Sequence, residues 1–205
     1  PALCVEHLPV MVPALLALAT MPRVSSEEDE EDEVGNEGVI ENALFALGMV
    51  CHTSLLREAG EGGYWGAGVA VSEVAALWLG ALPFRADEAE ARVASRQLCD
   101  AVEQGDTLVV GPEQENLSEV LRVLAEVFQQ HQQDEEERRQ ERERRGQSAE
   151  ENGVWGGGSV HPDTLQRMRA LVQQMQTGGG VAPAVLQNAF AVLSADHQAV
   201  LQAAL

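Results

Sequence analysis

The residue types that most often bind metals or move protons are scattered along this chain. Cys51 and His52 are adjacent, but neighbouring residues project from different sides of a helix, so the pair would need distant ligands to hold zinc. The histidines share no ligand spacing with one another or with a cysteine, and we expect them to face solvent or cap helices. The five are His7, His52, His131, His161 and His197.

Nucleophilic and phosphate chemistry also lack their usual motifs. No Gly-x-Ser-x-Gly elbow occurs, and the run Gly156–Ser159 follows no predicted strand that could position a nucleophile. A phosphate-binding loop needs a lysine, yet all 13 cations of the chain are arginines. We therefore expect neither an enzyme nor a cofactor or metal site.

Carboxylates are the abundant polar chemistry of this sequence. The formal net charge is −20, which argues against nucleic acid as a ligand and favours a basic partner or simple solubility. The densest run of carboxylates has three possible roles: a solvated spacer, a clamp that binds Arg/Lys-rich cargo, or a lid that competes with cargo for its binding site. The solvated spacer is the default interpretation of such a run. Its members are Glu27, Glu28, Asp29, Glu30, Glu31, Asp32 and Glu33.

Apolar residues at helical spacing predict the elements that carry these side chains. The sequence after Trp78 predicts a junction between two helices. Pro83 lacks the N–H needed to continue the first helix, and the negative charge of Asp87 suits the start of the second. Trp78 falls in an apolar stripe and is expected in the core. Thr107–Val110 is the single β-like run. The predicted stripes are Ile40–Cys51, Val71–Leu82, Val93–Val102, Leu117–Phe128, Leu165–Met175 and Val185–Leu193, with a last short helix capped by Ser194. The run Gly178–Gly180 predicts the end of the helix that carries the Leu165–Met175 stripe.

These helices group into pairs with a period of about 45 residues, which is typical of HEAT and armadillo repeats. The predicted fold is all-α, an α-α superhelix of antiparallel pairs stacked as a HEAT-repeat solenoid with acidic and Gly-rich loops. The predicted divisions are a helix of a preceding repeat at 1–24, an acidic linker at 25–38, repeats at 39–86 and 87–131, a charged and Gly-rich insert at 132–160, and C-terminal helices at 161–205. Within the insert, Glu–Arg pairs can extend the fourth helix.

Three further features bear on the cellular location of the chain and on whether it is part of a longer protein. Cys4, Cys51 and Cys99 form no Cys-x-x-Cys pair and are interpreted as reduced, buried thiols of an intracellular protein. The apolar stretch Leu8–Met21 contains two prolines and is too short to span a membrane, so no membrane insertion is expected. Because the chain opens at Pro1, we expect a fragment with more protein upstream.

Several segments resemble the C-terminal repeats of importin-β-type nuclear transport receptors, in the same order as in that family. They are ENALFALGMV (Glu41–Val50), LWLGALPFRADEAEA (Leu77–Ala91), LCDAVEQGDTLVVGPEQENLSEVLRVLAEVF (Leu98–Phe128), LVQQMQTGGG (Leu171–Gly180) and the ending LSADHQAVLQAAL. The similarity is greatest to the importin subunit beta-3 branch.

The resemblance implies a HEAT solenoid that carries basic cargo, such as ribosomal proteins or histones, through the nuclear pore. It also implies Phe-Gly nucleoporins as partners, shuttling between cytoplasm and nucleus, and control by the Ran GTPase, whose main contacts lie in an N-terminal arch that this sequence lacks. Carboxylates on second helices are then candidate cargo contacts beside the acidic run: Glu73, Glu119 and Glu126. Asn42 and Asp100, on two first helices, are expected to cap backbone or to bond across repeats.

Two other functions remain open at this point. One is a HEAT-type structural scaffold in a regulatory or assembly complex, without a role in transport. The other is an acidic chaperone for basic proteins, which would place the function in the acidic runs.

Overall fold

The computed structural model describes residues 6–24, 35–52, 68–145 and 159–204, and within these ranges the regular elements are helices with no β-strand. This confirms the all-α class. The helices are α1 (Leu8–Ala19), α2 (Glu37–His52), α3 (Val71–Ala81), α4 (Glu88–Glu103), α5 (Thr107–Val110), α6 (Leu117–Arg145), α7 (Pro162–Gln176), α8 (Pro183–Ala191) and α9 (Ala195–Ala203).

Local signals set several helix ends as predicted. Asp87 caps α4, because its carboxylate accepts hydrogen bonds from the backbone N–H groups of Ala89 and Glu90 at 2.7 and 3.0 Å. The Ser194 hydroxyl accepts from the His197 N–H in the same way at the start of α9. At the end of α7, Gly178 adopts a φ of 85°, which a residue with a side chain rarely adopts.

The run Thr107–Val110 is a short helix, so its reading as β-like is wrong. Asp106 accepts a hydrogen bond from the Leu108 N–H at the start of this turn, and Gly111, at a φ of 83°, ends it. The β-branched residues favour extended backbone, but flanking residues that cap a helical turn outweigh that preference over so short a run.

The long helix α6 crosses the predicted boundary at residue 132 without interruption and continues to Arg145. Ion pairs three and four residues apart follow its charged half, as the sequence predicted; one joins Arg139 to Glu136 at 2.8 Å. The predicted Gly-rich remainder lies mostly outside the described residues.

The helices contact one another in a regular order. The helices α2, α4 and α7 touch in succession, and so do α3, α6 and the C-terminal pair α8 and α9. Helix α1 packs on α2, and the short α5 fits among α3, α4 and α6. Such an order is compatible with a helical-repeat solenoid.

Leucine, valine and alanine side chains from all of these helices form one continuous core. Trp78 is completely buried in it, as predicted, with its ring edge-on to that of His52 at a centroid distance of 4.6 Å. The indole lies against Gly48 of α2, where the missing side chain leaves room for the ring. A glycine in the middle of a helix is therefore explained by the close approach of α3.

Candidate functional site

The acidic run 27–33 lies outside the described residues, but both of its flanks are fixed. The Asn36 side chain accepts a hydrogen bond from the Val24 N–H and donates one to the Pro22 carbonyl, both at 2.9 Å. Arg23 and Glu37 pair across the same junction at 3.1 Å. The described residues on the two sides of the acidic run, Pro22–Val24 and Asn36–Glu37, therefore contact each other at the start of α2.

Two of the predicted cargo-binding carboxylates share one arginine as a partner, and Glu126 also lies 3.8 Å from Arg85. Arg122 donates to Glu119 at 2.8 and 3.0 Å and also to Glu126. The same guanidinium donates to the carbonyl of Leu82 at 3.0 Å, just beyond the end of α3. Arg122 thus pairs with both carboxylates and offsets one of their two negative charges, while satisfying a carbonyl group at the C-terminus of a neighbouring helix.

The electrostatics of this cluster favour a permanently charged Arg122. Partial burial opposes its charge, but the hydrogen bonds to Glu119 and Glu126 outweigh that effect and raise the pKa of Arg122. The Glu126 side chain is only 20% exposed, compared with 38% for Glu119. A basic ligand would therefore have to compete with Arg122 for these two carboxylates.

Glu73 is the third predicted contact on the second helices, and it is exposed in the first turn of α3. It shares a helix face with Gly80, whose Cα lies close to the Glu119 carboxylate: a Cβ added there would be 3.9 Å from Oε1. Two turns of helix separate Glu73 from Gly80, or about 10 Å. The structure thus brings Glu119 and Glu126 together and places Glu73 farther along the same surface.

Sequence reasoning missed a second acidic surface, because its members come from distant parts of the chain. Glu88, at the start of α4, lines a groove of about 320 Å³ with Asp134, Glu137 and Glu141 of α6. Arg138 also lines this groove, 3.9 Å from Asp134. The sequence after residue 133 is visibly rich in Asp and Glu. Its position beside α4 could not be predicted, because it follows from the length of α6 in the structure.

A buried carboxylate that the sequence analysis did not single out holds the α3–α4 connection. Glu41 is 4% exposed, and its Oε2 accepts from the backbone N–H groups of Arg85 and Ala86 at 2.8 and 2.7 Å. Next to it, the orientation of the Asn42 amide that satisfies both of its polar atoms lets its nitrogen donate to Oε2 of Glu90 on α4 at 2.9 Å. Asn42 therefore bonds from α2 to α4, in agreement with its predicted role.

Asp100 also bonds between helices, as predicted. Arg167 of α7 donates to Asp100 and to Glu103 at 2.7 Å each, and these hydrogen bonds raise the pKa of Arg167. The neighbouring Cys99 is a buried free thiol, and burial raises its pKa to about 12. Cys51 is buried too, whereas Cys4 lies outside the described residues.

The histidines take individual structural positions. His161 caps α7, accepting a hydrogen bond from the Asp163 N–H at 3.2 Å, and His7 is exposed at the start of α1. His131 lies 3.5 Å from Glu135 on the same helix, while His52 packs on Trp78. Across the described ranges, no three His, Cys, Asp or Glu side chains converge closely enough to hold a metal ion.

Comparison with known proteins adds one result: no family model matches this chain. Within the described residues, no helix combines the length and apolarity needed to cross a membrane.

Proposed function

We propose that this chain is a protein-binding scaffold, the C-terminal HEAT repeats of an importin-β-type nuclear import receptor. The observation that carries the proposal is the order of helix contacts, in which α2, α4 and α7 form one series and α3, α6, α8 and α9 form another. Stacked helix pairs of this kind build extended surfaces suited to long, flexible partners. The segments that resemble the importin-β family fall on these same helices.

The proposed cargo is a basic, unstructured protein segment, and the carboxylates available to it are unequal. Arg122 occupies Glu119 and Glu126, so Glu73 and the acidic run at residues 27–33 contribute most of the attraction. The Asn36 junction supports this assignment because it holds the residues that flank the acidic run together at the start of α2. Exposed ion pairs contribute only about 0.2–1 kcal/mol each, so useful affinity needs many contacts at once.

Retention on immobilised Phe-Gly nucleoporin repeats tests the transport proposal. The matched control is the same repeat polypeptide with every phenylalanine replaced by serine. We expect the chain to be retained on the Phe-Gly matrix and to elute freely from the serine matrix. Equal behaviour on both matrices would contradict a transport role and favour a HEAT-type scaffold in a regulatory or assembly complex.

Deleting the acidic segment 25–33 distinguishes between two hypotheses, a transport receptor and an acidic chaperone. A chaperone that works through this segment would lose its binding of basic proteins, while Phe-Gly retention would be unchanged. A receptor that also uses Glu73 would keep weakened binding of the basic ligand. Isothermal titration with an arginine-rich peptide measures the difference.

A further inference from the structure

Helix α1 is apolar on both of its sides, although only one of them packs against the protein. The inner side, with Leu8, Val12 and Ala19, is buried, and α1 packs on α2. The opposite side carries exposed apolar residues at spacings of three and four, which places them on one face of the helix. These residues form the outer face of α1: Val10, Ala14, Ala17, Leu18 and, just beyond the helix end, Met21.

Exposed apolar side chains concentrate at this face. Seven large apolar side chains are exposed among the described residues, and four of them lie between Val10 and Val24. Val10 itself is 76% exposed. No acidic or basic residue occurs between His7 and Pro22, in a chain whose formal net charge is −20. A contiguous apolar surface with charged residues at its edges is typical of an interface.

The order of the side chains on the outer face suits a second copy of the same helix. Val10 comes four residues before Ala14, and Leu18 comes four residues after it. Two copies that cross beside Ala14 in antiparallel orientation would bring Val10 of each copy against Leu18 of the other. The small side chain of Ala14 at the crossing point allows the two helices to approach closely. Such an interface is isologous, because both copies use the same surface.

Charged residues at the two ends of the outer face favour the same antiparallel orientation. Glu6 is exposed eight residues before Ala14, and Arg23 is exposed nine residues after it. An antiparallel pair would place Glu6 of each copy beside Arg23 of the other, whereas a parallel pair would oppose like charges at both ends. Arg23 donates to Glu37 of its own chain through Nη1 at 3.1 Å, and the other N–H groups of its guanidinium can serve a second carboxylate.

We propose that the outer face of α1 binds a second copy of this chain, as an antiparallel helix pair with a two-fold axis beside Ala14. Shape and charge point to the same partner, since the large side chains on either side of Ala14 and the opposite charges at the two ends are both self-complementary. The interface is independent of the binding of basic cargo, because it uses none of the carboxylates assigned to cargo.

Sedimentation velocity over a range of protein concentrations measures the dimer. Ala14→Glu places a charge beside the two-fold axis, where it faces the same charge of the other copy, and this variant should remain a monomer at concentrations where the parent dimerises. Ala170→Glu is the matched control, since Ala170 is also an exposed alanine inside a helix, on α7, and it should dimerise like the parent. Both variants should keep the helical circular dichroism spectrum of the parent, because neither alanine is buried.

A charge exchange tests the orientation of the two helices. Glu6→Arg sets two arginines beside each other at both ends of an antiparallel pair and should weaken dimerisation about tenfold, because the ion pair occurs twice in the dimer. Combining it with Arg23→Glu restores opposite charges across the interface and should bring the dissociation constant back toward that of the parent. A parallel pair would respond to neither change, since like charges stay opposed in both variants.

The response to salt distinguishes this interface from cargo binding. Added NaCl should strengthen the dimer, because it screens the repulsion between two copies that each carry a formal charge of −20. Three results would overturn the proposal: a parent protein that stays monomeric at every concentration, which would leave the outer face to a different protein, an Ala14→Glu variant that still dimerises, or a double charge exchange that binds no more tightly than Glu6→Arg alone.

Discussion

The indole of Trp78 occupies the space where Gly48 lacks a side chain. A Cβ on Gly48 would overlap with Nε1 and Cδ1 of the ring, so α2 and α3 approach each other at this point only because the residue is glycine. Nε1 is buried and has no hydrogen-bond partner among the described residues. The contact therefore depends on close packing and not on a hydrogen bond, and the packing of α2 against α3 depends on it.

Gly48→Ala should destabilise the protein by about 1–3 kcal/mol, because the added methyl group overpacks the core. Gly80→Ala is the matched control: Gly80 also lies inside a helix, but its nearest neighbour would be 3.9 Å away. Helix propensity then predicts a gain of up to about 1 kcal/mol. Urea unfolding monitored by circular dichroism measures both. Equal effects in the two variants would contradict the close approach.

Leu124→Ala should destabilise by about 2–5 kcal/mol, since it deletes a fully buried side chain from the middle of α6. Val192→Ala serves as control, because Val192 is 73% exposed and its truncation should change the stability by less than about 0.5 kcal/mol. If the two variants unfolded at the same urea concentration, the buried face of α6 would be wrongly assigned.

The ion pair between Arg167 and Asp100 should join α7 to α4 with a measurable coupling energy. Arg167→Gln and Asp100→Asn, made singly and together, form a double-mutant cycle. Both side chains are partly exposed, so we expect a coupling of about 0.5–1 kcal/mol. Arg169→Gln, a neighbouring exposed arginine, provides the control and should leave stability unchanged. A coupling energy of zero would show that this pair does not hold the helices together.

Glu90 should make stability depend on pH in a defined direction. Burial, together with the charges of Asp87 and Glu41, raises its pKa above 4.5. The folded state therefore holds this proton more tightly than the unfolded state, and stability falls as pH rises through the interval between the ordinary and the raised values. Glu90→Gln should consequently be more stable than the parent at pH 7 and lose that advantage at pH 4.

Denaturant titrations of the parent and the Glu90→Gln variant at the two pH values measure this effect. Glu136→Gln is the opposite control: the hydrogen bond from Gln140 and the charge of Arg139 lower the pKa of Glu136, so that variant should gain nothing at pH 7. An advantage for Glu90→Gln that grows on acidification would contradict the assigned direction.

Features set by neighbouring residues could be predicted from the sequence. The caps at Asp87 and Ser194 depend on side chains within three residues of the backbone N–H groups that they bind, and the stop at Gly178 depends on the positive φ of that glycine itself. All three predictions are correct. The prediction of a β-like run at Thr107–Val110 was wrong because it considered the strand propensity of these residues and not the capping side chain of Asp106. Glu41 could not be found, since the N–H groups it binds lie 44 and 45 residues away.

The candidate site was only partly predictable for the same reason. Glu119 and Glu126 were read as surface carboxylates, and the i,i+3 and i,i+4 spacing to Arg122 was visible on the helix. What the spacing could not show is that Arg122 also reaches the Leu82 carbonyl beyond the end of α3, because that contact requires the tertiary packing. The groove between Glu88 and α6 depends on packing in the same way.

Titration of a histone-tail peptide at increasing salt tests the central claim, that this chain binds basic cargo through its acidic surface. We expect binding near physiological ionic strength that weakens steeply with added salt, because the contacts are exposed charge pairs. Glu73→Gln should weaken it most at low salt and progressively less as salt screens the charges, whereas Asp196→Asn, which removes an exposed carboxylate from the first turn of α9, should not weaken it. Binding that ignores salt, or no binding even at low salt, would contradict the claim.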